Sequence, residues 1–236
     1  MEDLKQIISS YLKIDAKKIQ STTFIDKTTI PGSIMIHRMY SELKQNGYEV
    51  MHPSNIRTFG DLEKTLSGES NQSVIDPSEK YITPLQIEIE NGSIGIDIES
   101  PNNLPDTNDF LSHQFYIDNF SKDEISYCSL KANPKESFCG LFAAKEAIVK
   151  ADSRYKDIPF VDIEIILTPS GKPRFNGFDI SISHVEFSKN NLSVAIVQKT
   201  PKSSSNYLHT SKSNDLLHKW SAPILFLVLI IIIVLK

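Results

Sequence analysis

Apolar residues in the first third of the chain recur at helical spacing. Leu4, Ile7, Ile8, Tyr11 and Leu12 mark one amphipathic helix within residues 1–15. A loop of Ser, Thr, Lys and Asp then runs to Thr29 and is punctuated by Pro31-Gly32-Ser33. After it, Ile36, Met39, Tyr40 and Leu43 fall at i, i+3, i+4 and i+7, which predicts a second helix closed by Asn46-Gly47. TFGDLEKTL at 58–66 predicts a short third helix. No stretch of 1–68 alternates with period two, so a small helical bundle is expected, followed by a linker at 69–80.

The pattern changes after the linker. Leu85, Ile87 and Ile89 alternate with polar residues, Asn91-Gly92 follows, and Ile94, Ile96 and Ile98 alternate again, which predicts a hairpin. Period two places Asp97 and Glu99 on one face, about 7 Å apart. Such a pair is either a solvated face or a site for a cation or basic group. Residues 122–130 read as helical, and Asn133-Pro134-Lys135-Glu136 is a helix start. The helix that follows, SFCGLFAAKEAIVKA, should turn Phe138, Leu141, Phe142 and Val149 to the core. Glu146 and Lys150 stand four apart on it, the spacing of a surface ion pair. VDIEIIL, the turn TPSGKP and the strands DISIS and LSVAIV complete an α+β domain over 81–199, with a mainly antiparallel sheet and His184 ending DISIS. Residues 200–219 read as a Ser- and Lys-rich tether. The run SAPILFLVLIIIIVL between Trp220 and Lys236 predicts a C-terminal transmembrane helix at 220–236. As a helix it would be about 24 Å long against a hydrocarbon core of about 30 Å; a buried strand is the other reading. Lys212, His218 and Lys219 favour membrane localisation with the domains facing the cytoplasm.

Composition narrows the function. A net charge of -4 over 236 residues argues against a general nucleic-acid binder. Two cysteines, Cys128 and Cys139, offer no disulfide framework or zinc spacing, and the six histidines form no close ligand pair. MEDLKQ at the N-terminus is not a secretory signal.

The loop to Ser33, the helix after it, NGYEV and TFGDLEKTL together resemble an acyl or peptidyl carrier protein over residues 1–68. In that family the serine opening the second helix carries a 4′-phosphopantetheine arm, and Ser33 holds that position. A helix N-terminus suits a phosphate, though serine is also a preferred N-cap with no further role. Two features depart from the family: Gly32 replaces the usual Asp, and the helix shows His37, Arg38, Glu42 and Lys44 instead of an acidic surface.

IGIDIE, FAAKEAIVKA, GKP and ISISH with SVAIV occur in the order and spacing of the 4′-phosphopantetheinyl transferases. The resemblance implies transfer of phosphopantetheine from coenzyme A to a carrier-protein serine, Ser33 being one candidate, with release of 3′,5′-ADP. It implies Mg²⁺ held by Asp97 and Glu146, with Glu99 as a third ligand. It implies Lys150 at the reacting phosphates, Lys145 and Lys172 on other phosphates of coenzyme A, and Ser183 and His184 at the same end of the site. Glu146 or a metal-bound water would take the serine proton. The usual Arg of GRFAAKEA is Leu141 here, and PNNLP stands where the short type has a basic docking helix. The domain's length matches that short type, holo-acyl-carrier-protein synthase, whose sites lie between subunits of a trimer, so a homotrimer is expected. The sequence thus reads as a membrane-tethered carrier domain fused to its transferase. The alternatives are a catalytically inactive, membrane-anchored carrier or scaffold, and a transferase whose N-terminal domain only docks.

Overall fold

The computed structural model describes residues 2–50, 53–68, 94–168, 170–187 and 190–200. The N-terminal body contains α1 (Glu2–Leu12), α2 (Ser33–Gln45) and α3 (Phe59–Leu66). Their apolar faces meet in one core, with Leu4, Ile8, Ile30, Met39, Leu43 and Phe59 among its buried side chains. Asn46 caps α2 through its backbone N–H, and Gly47 follows at φ +84°, the stop that Asn46-Gly47 predicts. Thr58 and Asp61 close a reciprocal capping box at the start of α3. Three helices around one apolar core thus occupy the described residues of 1–68.

The second body is an antiparallel sheet with helices around it. Its strands are β1 (Ile94–Glu99), β2 (Ile166–Leu167), β3 (Pro173–Phe175), β4 (Phe178–Phe187) and β5 (Asn190–Lys199), in the order β1-β5-β4-β3-β2. Three helices precede β2: α4 (Gln114–Asn119), α5 (Lys122–Ser129) and α6 (Pro134–Ala151). Asn133 caps α6 through its side chain with Pro134 at the first position, as the sequence signals. Phe138, Leu141 and Phe142 are buried, and Val149 packs partly against the same core. The Arg-to-Leu departure at Leu141 thus fills apolar space.

Helix α6 crosses β1 at very short range. A Cβ built on Gly95 would lie 1.8 Å from the Ala147 carbonyl oxygen, so only glycine lets the strand reach the helix. Gly95→Ala should cost about 3 kcal/mol or more, as severe overpacking does. A denaturant midpoint unchanged from wild type would show that the strand can move away freely.

Two expectations change, and a third falls outside the described residues. The described antiparallel partner of β1 is β5, and the first arm of the expected hairpin, like the linker at 69–80, lies outside the described residues. VDIEIIL pairs only through Ile166–Leu167, because Phe160–Asp162 is a 3₁₀ turn and the Ile165 N–H donates to Glu124 Oε1 at 2.8 Å. The α+β class stands, but the C-terminal transmembrane helix and the membrane localisation drawn from it do not. Among the described residues no helix is long and apolar enough to cross a membrane. The longest helix among the described residues, α6, carries Lys135, Glu136, Lys145, Glu146 and Lys150. The run at 220–236, already short for a bilayer, lies outside the described residues, as does the tether through 219.

Candidate active site

Strand alternation builds one wall. Gly95, Asp97 and Glu99 share the face of β1 toward α6. Across the sheet Asp97 stands beside Ala195 and Ile182, and Glu99 beside Ser193 and His184. The face is therefore apolar at one end and polar at the other. His184 Nδ1 lies 2.9 Å from Ser193 Oγ. Helix α6 supplies Glu146 and Lys150, one turn apart. They do not pair with each other. Lys150 Nζ donates to Asp97 Oδ1 at 2.6 Å and to the Ile96 carbonyl at 3.1 Å, while Glu146 Oε2 accepts from Lys27 Nζ at 3.0 Å.

The N-terminal body completes the cluster. Ser33 is the first residue of α2, not its cap; the cap position is Gly32, with no side-chain bond. The N–H groups of Ser33 and Ile34, which helix geometry leaves without internal partners, donate to Glu99 Oε1 at 2.9 and 3.4 Å. Gly32 sits at φ +87°, and a Cβ there would lie 3.4 Å from Glu99 Oε2. This accounts for the missing Asp: the turn favours glycine, and a second carboxylate would point at Glu99. One turn into α2, His37 fits between Phe142 and Phe160, with ring centroids 5.1 and 4.5 Å away. Its Nε2 is 3.9 Å from Glu146 Oε1.

Asp97, Glu99 and Glu146 are all buried. Burial, then the charge of Asp97, pushes the Glu99 carboxyl up to about 7, against the pull of the Ser33 and Ile34 amides. Burial and the charge of Glu146 raise Asp97, against the Lys150 hydrogen bond. Burial holds His37 below the usual imidazole range. A raised carboxyl pKa means that the folded protein holds the proton more tightly. Its stabilising share is complete below about pH 4.5 and is lost as pH rises through 7. For Glu99 this spans from 4.5 to about 7, or about 3 kcal/mol at most. The melting temperature of the metal-free protein, compared with Glu99→Gln, should therefore fall more steeply between pH 4.5 and 7. Parallel curves for the two proteins would show that Glu99 carries no such strain.

Asp97 Oδ2 is buried without a hydrogen-bond partner. That orphaned oxygen beside two further carboxylates is a hard-oxygen set of the kind that Mg²⁺ takes, in company with waters and phosphate oxygens. Two ammonium groups, Lys150 and Lys27, pair with the carboxylates in the arrangement described, and among the described residues no group of three or more His, Cys, Asp or Glu is disposed to hold a metal. The oxygen donors are of the type Mg²⁺ takes, but in the arrangement described ammonium groups, not a metal cage, meet Asp97 and Glu146.

Of the residues singled out from sequence, Asp97, Glu99, Glu146, Lys150 and Ser33 come together, with His184 adjoining through Ser193. Ser183 alternates to the opposite, exposed sheet face, beside Val194 and Ile98. Lys172 is exposed in the turn after β2, where its N–H donates to Thr168 Oγ1. Lys145 is corrected outright. It is fully buried, and its ammonium donates to Glu124 Oε2 at 2.6 Å and to the Asn119 and Phe160 carbonyls at 2.8 Å each. With its donors so engaged it braces α4, α5 and α6 and faces no ligand. Cys128 and Cys139 are buried thiols, as expected, each pushed up to about 12 by burial. Sequence reasoning missed Lys27 as a site residue and treated His37 only as surface. Their one signal was a basic side chain on a carrier-like helix face or loop where acidic ones are usual.

The model of the 4′-phosphopantetheinyl transferase superfamily matches residues 93–204. The holo-[acyl-carrier-protein] synthase of Thermodesulfovibrio yellowstonii is 32% identical over 110 residues, 44% of this chain and 94% of that protein. That of Halothermothrix orenii is 41% identical over 81 residues, 34% of this chain; the chain spans just under two thirds, 65%, of that relative's length. A solved holo-(acyl-carrier-protein) synthase from Bacillus anthracis, in complex with CoA (3′,5′-ADP), is 28% identical and aligns over 46% of this chain and 96% of its own, with a TM-score of 0.35. The matched region carries β1 and α6, and with them Asp97, Glu99, Glu146 and Lys150. With one synthase matched over almost its whole length, the chain belongs to the 4′-phosphopantetheinyl transferase superfamily.

Proposed function

We propose that this chain transfers 4′-phosphopantetheine from coenzyme A to a carrier-protein serine, and that its own N-terminal body is a carrier domain with Ser33 as acceptor. The observation that carries this is the N-terminus of α2 set against the site, with the Ser33 N–H on Glu99 Oε1 at 2.9 Å. In the reaction the Ser33 oxygen attacks the phosphorus bearing the pantetheine arm. The bond from that phosphorus to the bridging oxygen breaks, 3′,5′-ADP leaves with the oxygen, and the serine proton passes to a carboxylate. Glu99 is the carboxylate placed at Ser33, and a pKa near 7 suits a base at neutral pH. Asp97 and Glu146, with Glu99 beside them, would hold Mg²⁺, which would offset the charge of the pyrophosphate. Lys150 can turn from Asp97 to a phosphate oxygen, where it would stabilise charge as the bond breaks. His184, at the polar end of the sheet face, borders the same space.

Self-association belongs to the proposal. Ile94 and Ile98 are 52% and 51% exposed on the sheet face away from α6, with Val185 on the same face. Copies of the chain would meet there, in the trimer that the resemblance implies.

The inactive-scaffold reading has one point in its favour: Lys27 and Lys150 already pair with two of the three carboxylates, Glu146 and Asp97. Incubation with coenzyme A and Mg²⁺ separates the two. The proposal expects one equivalent of 3′,5′-ADP per chain without added carrier, and continued release when a free carrier protein is supplied. No 3′,5′-ADP under either condition would leave the scaffold reading.

A further inference from the structure

The seam between the two bodies has a fixed polarity. Lys27 donates to Glu146 at 3.0 Å, Arg38 Nη1 to the Asn103 carbonyl at 2.8 Å, and Lys44 Nζ to Asp118 Oδ1 at 2.7 Å. Ser54 Oγ donates to Asp157, and the Ser33 and Ile34 amides to Glu99. Asn119 gives its Nδ2 to the Phe115 carbonyl, so its Oδ1 accepts and His37 Nδ1 donates, at 2.5 Å. In each of these bonds the N-terminal body donates and the transferase body accepts. Ile34 adds apolar contact, buried in the transferase core. Cationic side chains thus lie on the face of α2 and the loop before it, and Glu99, Asp118, Glu146 and Asp157 lie opposite.

Resting on the reading above, we infer that this seam is a docking surface for carriers with a basic recognition helix, and that it selects the chain's own carrier domain, or a second copy of it, against carriers whose helix is acidic. An acidic side chain in the place of Lys44 would meet Asp118, and one in the place of Lys27 would meet the buried Glu146. Like charges so placed repel instead of steering. The transferase face itself offers acceptors where an acidic helix needs donors.

Lys44 and Asp118 test this, since neither touches the reacting atoms; the Asp118 side chain is only 17% exposed and also accepts from Gln114 Nε2 at 2.8 Å, so circular dichroism of each variant checks the fold. Two readouts apply to the full chain: the rate of phosphopantetheine gain at Ser33, and hydrogen exchange of the Ser33 and Ile34 amides, which reports docking without any activity. Lys44→Asp and Asp118→Lys should each slow labelling and speed exchange about 3- to 5-fold, the range of a partly exposed ion pair. The double variant should return to within about twofold of wild type, because the pair is rebuilt in reverse. In a Ser33→Ala background, Asp118→Lys should also raise labelling of a free acidic carrier. A double variant as impaired as the two single changes combined overturns the docking surface, even if transfer proceeds. Rescue of exchange without any transfer would uphold the surface and sink the transferase reading instead.

Discussion

Glu146→Gln should lower the rate of phosphopantetheine transfer by about 10²–10³-fold, the usual cost of removing one charge-stabilising group from an active site, with the fold intact. Glu146 is buried at the meeting point of β1, α6 and α2, and its oxygens face Lys27 and His37. The substitution keeps the shape and removes the charge. Lys27, whose side chain is 59% exposed, can turn to water, so no ammonium is stranded in the core. Asp97→Asn should be equally severe. Asp97 Oδ2 is the site's orphaned oxygen, and Oδ1 holds Lys150, so one change removes both the ligand charge and the lysine's anchor. Circular dichroism and 3′,5′-ADP release on the same preparations check both variants. A folded Glu146→Gln protein that transfers at near wild-type rate would mean that the carboxylate cluster is not where the chemistry occurs.

The second large effect concerns which chain modifies which. Ser33 opens α2 against Glu99, and Asp97, Glu146 and Lys150 lie beside it within the chain's own fold, so labelling is expected to be intramolecular. A mixture of Ser33→Ala chains, able to transfer, with Glu146→Gln chains, able to accept, removes that route. A short tether gives an effective concentration in the millimolar range, so at micromolar protein the mixture should label Ser33 at least about 10²-fold more slowly than wild type. Its rate should rise with protein concentration, and the wild-type rate should not. Equal rates in the two experiments would show that Ser33 is served by a neighbouring subunit.

Local pattern made much of the architecture legible. Helical spacing located α1, α2 and α3, cap chemistry located the start of α6, and alternation put Asp97 and Glu99 on one face. Contacts decided by distant partners were not legible. Glu146 and Lys150 have the spacing of a surface pair, yet α6 lies across β1 and in front of α2, so each finds a partner elsewhere: Asp97 is 53 residues away and Lys27 is 119. Lys145 has the residue type of a phosphate contact, but Glu124 and two carbonyls draw it into the core. The helix α4 escaped notice because QFYIDN is too short to show a period, although it supplies Asn119 to His37 and Asp118 to Lys44. Gly32 departs from the carrier pattern that residues 1–68 resemble, and its positive φ and the nearness of Glu99, neither visible in sequence, give the departure a reason.

Site-resolved mass spectrometry of the wild-type chain, after incubation with coenzyme A and Mg²⁺, reads modification of Ser33 itself. One phosphopantetheine per chain is expected, on Ser33, absent from Ser33→Ala and nearly absent from Glu146→Gln. Transfer to a free carrier with Ser33 left unmodified would contradict it, and would make the N-terminal body a docking module.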